Sequence, residues 1–143
     1  MIALALIALV TGGPEPTVVN ASADDCAITV EIGRARAAWG PKGPNQLFVI
    51  EGQGPEGSVY RQDCDWVALG VGAPVLAKIG KPGPRFAVKR PVYGVGRKTA
   101  EATVTFVAWA GPGSTPLISI EHCRLRSRRG VWHLVKCEQG LIT

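Results

Sequence analysis

Between Glu101 and Ala110, polar Glu101, Thr103 and Thr105 alternate with apolar residues, and Ala102, Val104, Phe106 and Ala108 fall on one side. A period of two is the signature of a strand buried on one face only. Gly111 to Pro116 then reads as a turn. Leu117 to Arg126 and Val131 to Cys137 form a hairpin around Arg128-Arg129-Gly130, where Gly130 suits a positive φ. Upstream, Phe86 to Tyr93 is a strand interrupted by Pro91, which belongs on an edge or at a bulge, and Gly94-Val95-Gly96 turns the chain back. A meander of three or four antiparallel strands with one apolar face must be covered by other elements.

The cover has to come from the first half of the chain. Asp24 or Asp25 can cap a helix in which Ile28, Ile32, Ala35 and Trp39 recur at helical spacing, with Arg34 and Arg36 pointing away. Gly40-Pro41 ends it. Gln46 to Glu51 has strand character, Gly52 to Ser58 is a loop, and Arg61 to Leu69 reads as a short second helix with Trp66 and Leu69 inward. The expected class is α+β, with an N-terminal helix and a short second helix packed on a curved antiparallel sheet. Glycine and proline supply 29 of 143 residues, which agrees with many turns and short elements. There is no internal repeat or linker, so residues 24–143 are expected to form a single roll domain.

Cys26, Cys64, Cys123 and Cys137 contain no C-x-x-C, so neither a zinc ribbon nor a thioredoxin-type site is encoded. An even count suits two disulfides in an exported chain. Four cysteines allow three pairings, and spacing does not choose between them; Cys26–Cys64 with Cys123–Cys137 is the favoured arrangement. Ile2 to Val10 is an apolar run too short to span a bilayer, followed by a polar stretch and Ala21-Ser22-Ala23. That order resembles a signal peptide over residues 1–23, although no Lys or Arg precedes the run and the gap to the cut is long. A buried N-terminal strand is the alternative. The cysteines favour export, to a periplasmic or secreted location, with no transmembrane segment after processing.

The formal charge of +5 is unevenly spread. Twelve Lys or Arg lie between Pro74 and Lys136 against only Glu101 and Glu121. Arg124, Arg126 and Arg128 alternate onto one face of the hairpin, where Arg129 and Lys136 can join them. Guanidinium groups bind phosphate and carboxylate bidentately, so these five residues are the candidate binding set. The competing use is a solvated outer face whose charges deter edge pairing. Aromatic interleaving is nearly absent apart from Trp132, so nucleic acid is not favoured; an anionic envelope ligand or another exported protein fits better.

Other motifs fail on context. Gly52-Gln53-Gly54-Pro55-Glu56-Gly57 matches a dinucleotide fingerprint, but Pro55 interrupts it and no acid occurs between Asp65 and Glu101. Gly94 to Thr99 ends like a phosphate loop, yet Arg97 stands where glycine is needed and a strand follows instead of a helix. Ser114 has no nucleophile-elbow setting. His122 and His133 lie on adjacent strands without a third zinc ligand. No metal and no cofactor is expected.

The pattern C-x-L-x(5)-G-x-W-x-L on Cys123, Leu125, Gly130, Trp132 and Leu134 resembles the closing hairpin of the nuclear transport factor 2-like superfamily, the cystatin-like α+β rolls. Asp63-Cys64-Asp65-Trp66 and Arg90-Pro91-Val92-Tyr93 look like landmarks of small exported bacterial members without an assigned function. The resemblance covers residues 24 to 140. It implies a roll that serves either binding and assembly or isomerase and dehydratase chemistry, the latter with an acid and a Tyr or His inside the cone. Tyr60, Asp63 and His122 are the residues whose convergence would signal such an enzyme. Lacking a clear catalytic set, the chain is expected to be a non-catalytic binding or accessory module. The alternative is a small isomerase or dehydratase.

Overall fold

Ser22 starts the helix, not an aspartate. Its hydroxyl accepts a hydrogen bond from the Asp25 amide at 3.1 Å, and the Asp25 carboxylate accepts one from the Ser22 amide at 3.1 Å. This reciprocal box satisfies two donors that a helix start leaves open. The computed structural model describes residues 17–42, 47–48, 51–53, 58–72, 85–108 and 111–142. In chain order the elements are β1 (Val18–Asn20), α1 (Ala23–Ala37), β2 (Leu47–Phe48), β3 (Glu51–Gln53), β4 (Val59–Arg61), β5 (Arg85–Val88), β6 (Val92–Tyr93), a 3-10 turn (Val95–Arg97), β7 (Thr99–Ala108), β8 (Leu117–Arg128) and β9 (Val131–Ile142). The apolar run Ile2 to Val10 and residues 54–57 of the Gly52–Gly57 motif lie outside the described residues.

The protein is α+β, with a main sheet in the order β2-β5-β7-β8-β9 and β6 also paired to β7. The ladders of β5, β6, β8 and β9 are antiparallel, and only β2 joins in parallel. A second small sheet runs β1-β4-β3, with β1 parallel to β4. The sheet is therefore larger than the three or four strands expected. The expected helix over Arg61 to Leu69 is instead the end of β4 followed by a turn. Asp65 caps that turn by accepting from the Ala68 amide at 3.1 Å. Trp66 and Leu69 face inward at a spacing that a single turn satisfies as well as a helix does.

Helix α1 ends at Ala37, two residues earlier than its apolar spacing implies. Ala38 takes a left-handed conformation (φ 54°), and its successor Trp39 folds back into the core. Ala35 is exposed, so the buried stripe is carried by Cys26, Ile28, Val30 and Ile32. Of these, Ile28, Val30 and Ile32 share one core with the inner sheet face, where Ala100, Ala102, Val104, Cys123, Leu125 and Trp132 are buried. Truncating Ile28 or Leu125, both fully buried, would cost about 2–5 kcal/mol.

Pro91 sits between β5 and β6. The register moves from Val88↔Val104 to Val92↔Glu101, one residue more on the proline side, which is a bulge. The β8–β9 turn places both Arg129 and Gly130 at positive φ, the twist that suits a two-residue hairpin. Cys26 is bonded to Cys64, tying α1 to the segment after β4, and Cys123 to Cys137 across β8 and β9. Two disulfides point to an oxidising, extracytoplasmic compartment. No described helix is long and apolar enough to cross a membrane. A cut after Ala23 would remove β1 and the Ser22 cap.

Candidate functional site

Two polar regions compete for a functional role, one inside and one on the surface. Inside, Asp25 is 2% exposed because its place in the first turn of α1 faces β4 and β6. Its carboxylate accepts hydrogen bonds from the Tyr60 hydroxyl at 3.2 Å and from the Tyr93 hydroxyl. Gln62 donates to Thr29 Oγ1 at 2.9 Å, and all four of Asp25, Thr29, Tyr60 and Gln62 are buried. Burial, and then the Asp25 carboxylate, push both phenols above their ordinary range. Arg97 stacks over the Tyr93 ring at 3.9 Å and pairs with Asp24 at 3.1 Å, while Trp132 donates to the other Asp24 oxygen. The network locks the start of α1 to the main sheet.

Its chemistry is an acid held between two tyrosines, the ingredients of proton transfer. Asp25 and Tyr60 are closed off, however, and their hydrogen-bonding groups are turned on one another. The sequence candidates do not assemble. Tyr60 lies in this interior cluster, Asp63 is exposed beside the Cys64 disulfide, and His122 is exposed on the far face of the sheet.

A further inward charge is Glu121, 8% exposed, which accepts a forked hydrogen bond from Arg36. That hydrogen bond raises the already high pKa of the guanidinium. Arg36 was expected to point away from the core and instead reaches the sheet. Glu121 also lies beside Cys123 and Cys137, but the sulfurs are bonded to each other and the carboxylate to Arg36. No free metal ligand remains in that cluster.

On the surface, strict alternation of β8 puts His122, Arg124, Arg126 and Arg128 on the outer face, all exposed, while Glu121, Cys123 and Leu125 point in. Neighbouring strands add to this row. Lys136 faces Arg124, His133 faces Arg126, and Glu101 lies opposite Arg124 on β7. Lys89 and Arg90 follow β5 at the bulge and complete one wall of an open groove of about 520 Å³, with Glu101, His122, Arg124, Lys136 and Glu138 on the others. A second hollow of about 390 Å³ lies further along β8, lined by Arg126, Arg128, His133, Leu134 and Val135.

Six cations thus face two carboxylates. Arg124 reaches Glu101 only at 4.0 Å, and Lys136 holds Glu138 at 2.7 Å, which lowers the pKa of the Glu138 carboxyl. Arg126 and Arg128 have no ion pair among the described residues. Arg129 occupies the hairpin turn, at the end of the row. The two histidines do not pair, because the register sets His122 against Glu138 and His133 against Arg126. Lys89, Arg90 and His133 were missed as members of this face. The Lys89-Arg90-Pro91 run was the available signal, since basic residues before a strand-breaking proline sit where a strand leaves its ladder.

No family model, curated protein or solved structure matches this chain.

Proposed function

We propose that the protein is a non-catalytic binding module, periplasmic or secreted, that holds an anionic envelope ligand on the outer face of its main sheet. The observation that carries this is the exposed row Arg124, Arg126 and Arg128 on β8, with Arg126 and Arg128 free of carboxylate partners among the described residues. Charges that merely guard a surface are commonly paired or mixed in sign. Here one sign dominates a concave surface, which focuses its field on an incoming anion. The cover of one helix over an antiparallel meander supports a distant kinship with the nuclear transport factor 2-like rolls. The isomerase or dehydratase alternative would need the Asp25 carboxylate open to a substrate, and its 2% exposure weighs against that.

The test is retention on phosphocellulose. Arg126→Glu with Arg128→Glu should elute at clearly lower salt than Lys42→Glu with Lys78→Glu, which carries the same net charge and leaves β8 unchanged. Equal elution of the two variants would mean that the face is no more than part of a basic surface.

A further inference from the structure

We propose that the ligand is a linear phosphodiester polymer lying along β8, bound through its backbone and not through any base. This inference rests on the outer-face reading above and goes further in naming the ligand's chemistry and path.

The row His122, Arg124, Arg126, Arg128 occupies every second position of one strand. Successive members are spaced by about 7 Å, and the whole row spans about 20 Å. A single small anion uses one or two such groups. A chain with a charge at each repeat can use them all. The surface along the row is also shaped for a chain. The groove beside His122 and Arg124 and the hollow beside Arg126 and Arg128 follow one another along β8, so one line of cations serves both concavities. A flat bilayer would leave both hollows unfilled.

Residue types narrow the chemistry further. Three of the four members are arginine, whose planar fork matches two phosphate oxygens at once. Trp132 is 5% exposed and turned inward, so among the described residues of β8 and β9 only the small imidazoles of His122 and His133 offer a ring to a base. Glu101 and Glu138 sit at the groove end and oppose an anion there. The stronger contacts therefore fall at Arg126 and Arg128.

The experiment uses the full chain and calorimetric titration with a base-free deoxyribose phosphodiester hexamer. Binding through three phosphates predicts a fall of roughly ten- to twentyfold between 50 and 200 mM salt, and Arg126→Gln should reduce the logarithmic salt slope by about 0.7. Orthophosphate should bind roughly a hundredfold more weakly than the hexamer, because only the chain engages several arginines at once. A hexathymidylate should bind no better than the base-free chain. Much tighter thymidylate binding would overturn backbone recognition. Orthophosphate binding as tight as the hexamer's would overturn the chain. So would capture by vesicles of equal phosphatidylglycerol and phosphatidylcholine without hexamer binding. If either of these last two signals is abolished by Arg126→Glu with Arg128→Glu, the outer-face reading survives the loss of the polymer. If neither hexamer, phosphate nor vesicle binds, both fall together.

Discussion

The indole of Trp39 occupies the space a side chain at position 33 would need: a Cβ placed on Gly33 would lie 2.3 Å from Trp39 Cε3. Glycine in mid-helix costs helix propensity, and here it admits the ring that closes the core beneath α1. The Trp39 amide donates to the Gly33 carbonyl at 3.2 Å, fixing the return. Trp39 then meets Phe86 edge-on at 5.0 Å, linking the end of α1 to β5. Gly33→Ala should therefore destabilise the fold by about 1–3 kcal/mol, the cost of an overpacked core, despite better helix propensity. Ala38→Gly should stabilise it by about 1 kcal/mol, since Ala38 holds a left-handed backbone. Urea unfolding of both variants checks the pair.

Arg36→Met should cost about 1–3 kcal/mol, because it leaves the buried Glu121 carboxylate without its fork. The half-exposed guanidinium keeps this below the cost of breaking a fully buried pair. Arg36→Met with Glu121→Gln should recover part of the loss, as no buried charge then remains. Chemical denaturation at neutral pH measures both.

Stability should fall as pH rises above about 10. Tyr60 and Tyr93 stay protonated in the folded protein at pH values where the unfolded phenols ionise, so the unfolded state binds fewer protons there. Their contribution is complete below the unfolded pKa and is lost as pH climbs toward the folded one. Tyr60→Phe should be less stable than wild type at pH 8 but lose less between pH 9 and 11. Thermal melts across that range give the comparison.

The two disulfides should differ in worth. Cys26 and Cys64 are 38 residues apart, Cys123 and Cys137 only 14. Chain entropy alone makes the longer closure worth about 4 kcal/mol and the shorter about 3. The short one also joins strands already held by a ladder and a tight turn. Replacing Cys26 and Cys64 by serine should thus lower the urea midpoint more than replacing Cys123 and Cys137.

The hairpin was legible because its signals are local. Alternation over Glu101 to Phe106 and a glycine at position 130 specify strand, face and turn without reference to the rest of the chain. The outward row of arginines followed from the same period. The small sheet was not legible, since β1, β3 and β4 have three residues each and β1 pairs in parallel with a partner about forty positions away. Asp25 was seen only as a cap candidate. Its tyrosines at positions 60 and 93 meet it through tertiary packing that no spacing encodes. Trp66 and Leu69 misled because an i, i+3 pair fits a lone turn as readily as a helix.

The most direct test of the outer-face account is amide chemical-shift mapping of the full chain during titration with the base-free phosphodiester hexamer. The account predicts shifts concentrated at residues 122–128, 89–90 and 133–136, with the amides around Asp25, Tyr60 and Tyr93 unmoved. Shifts centred on Asp25, Tyr60 and Tyr93, with β8 silent, would contradict it and place the functional site in the interior.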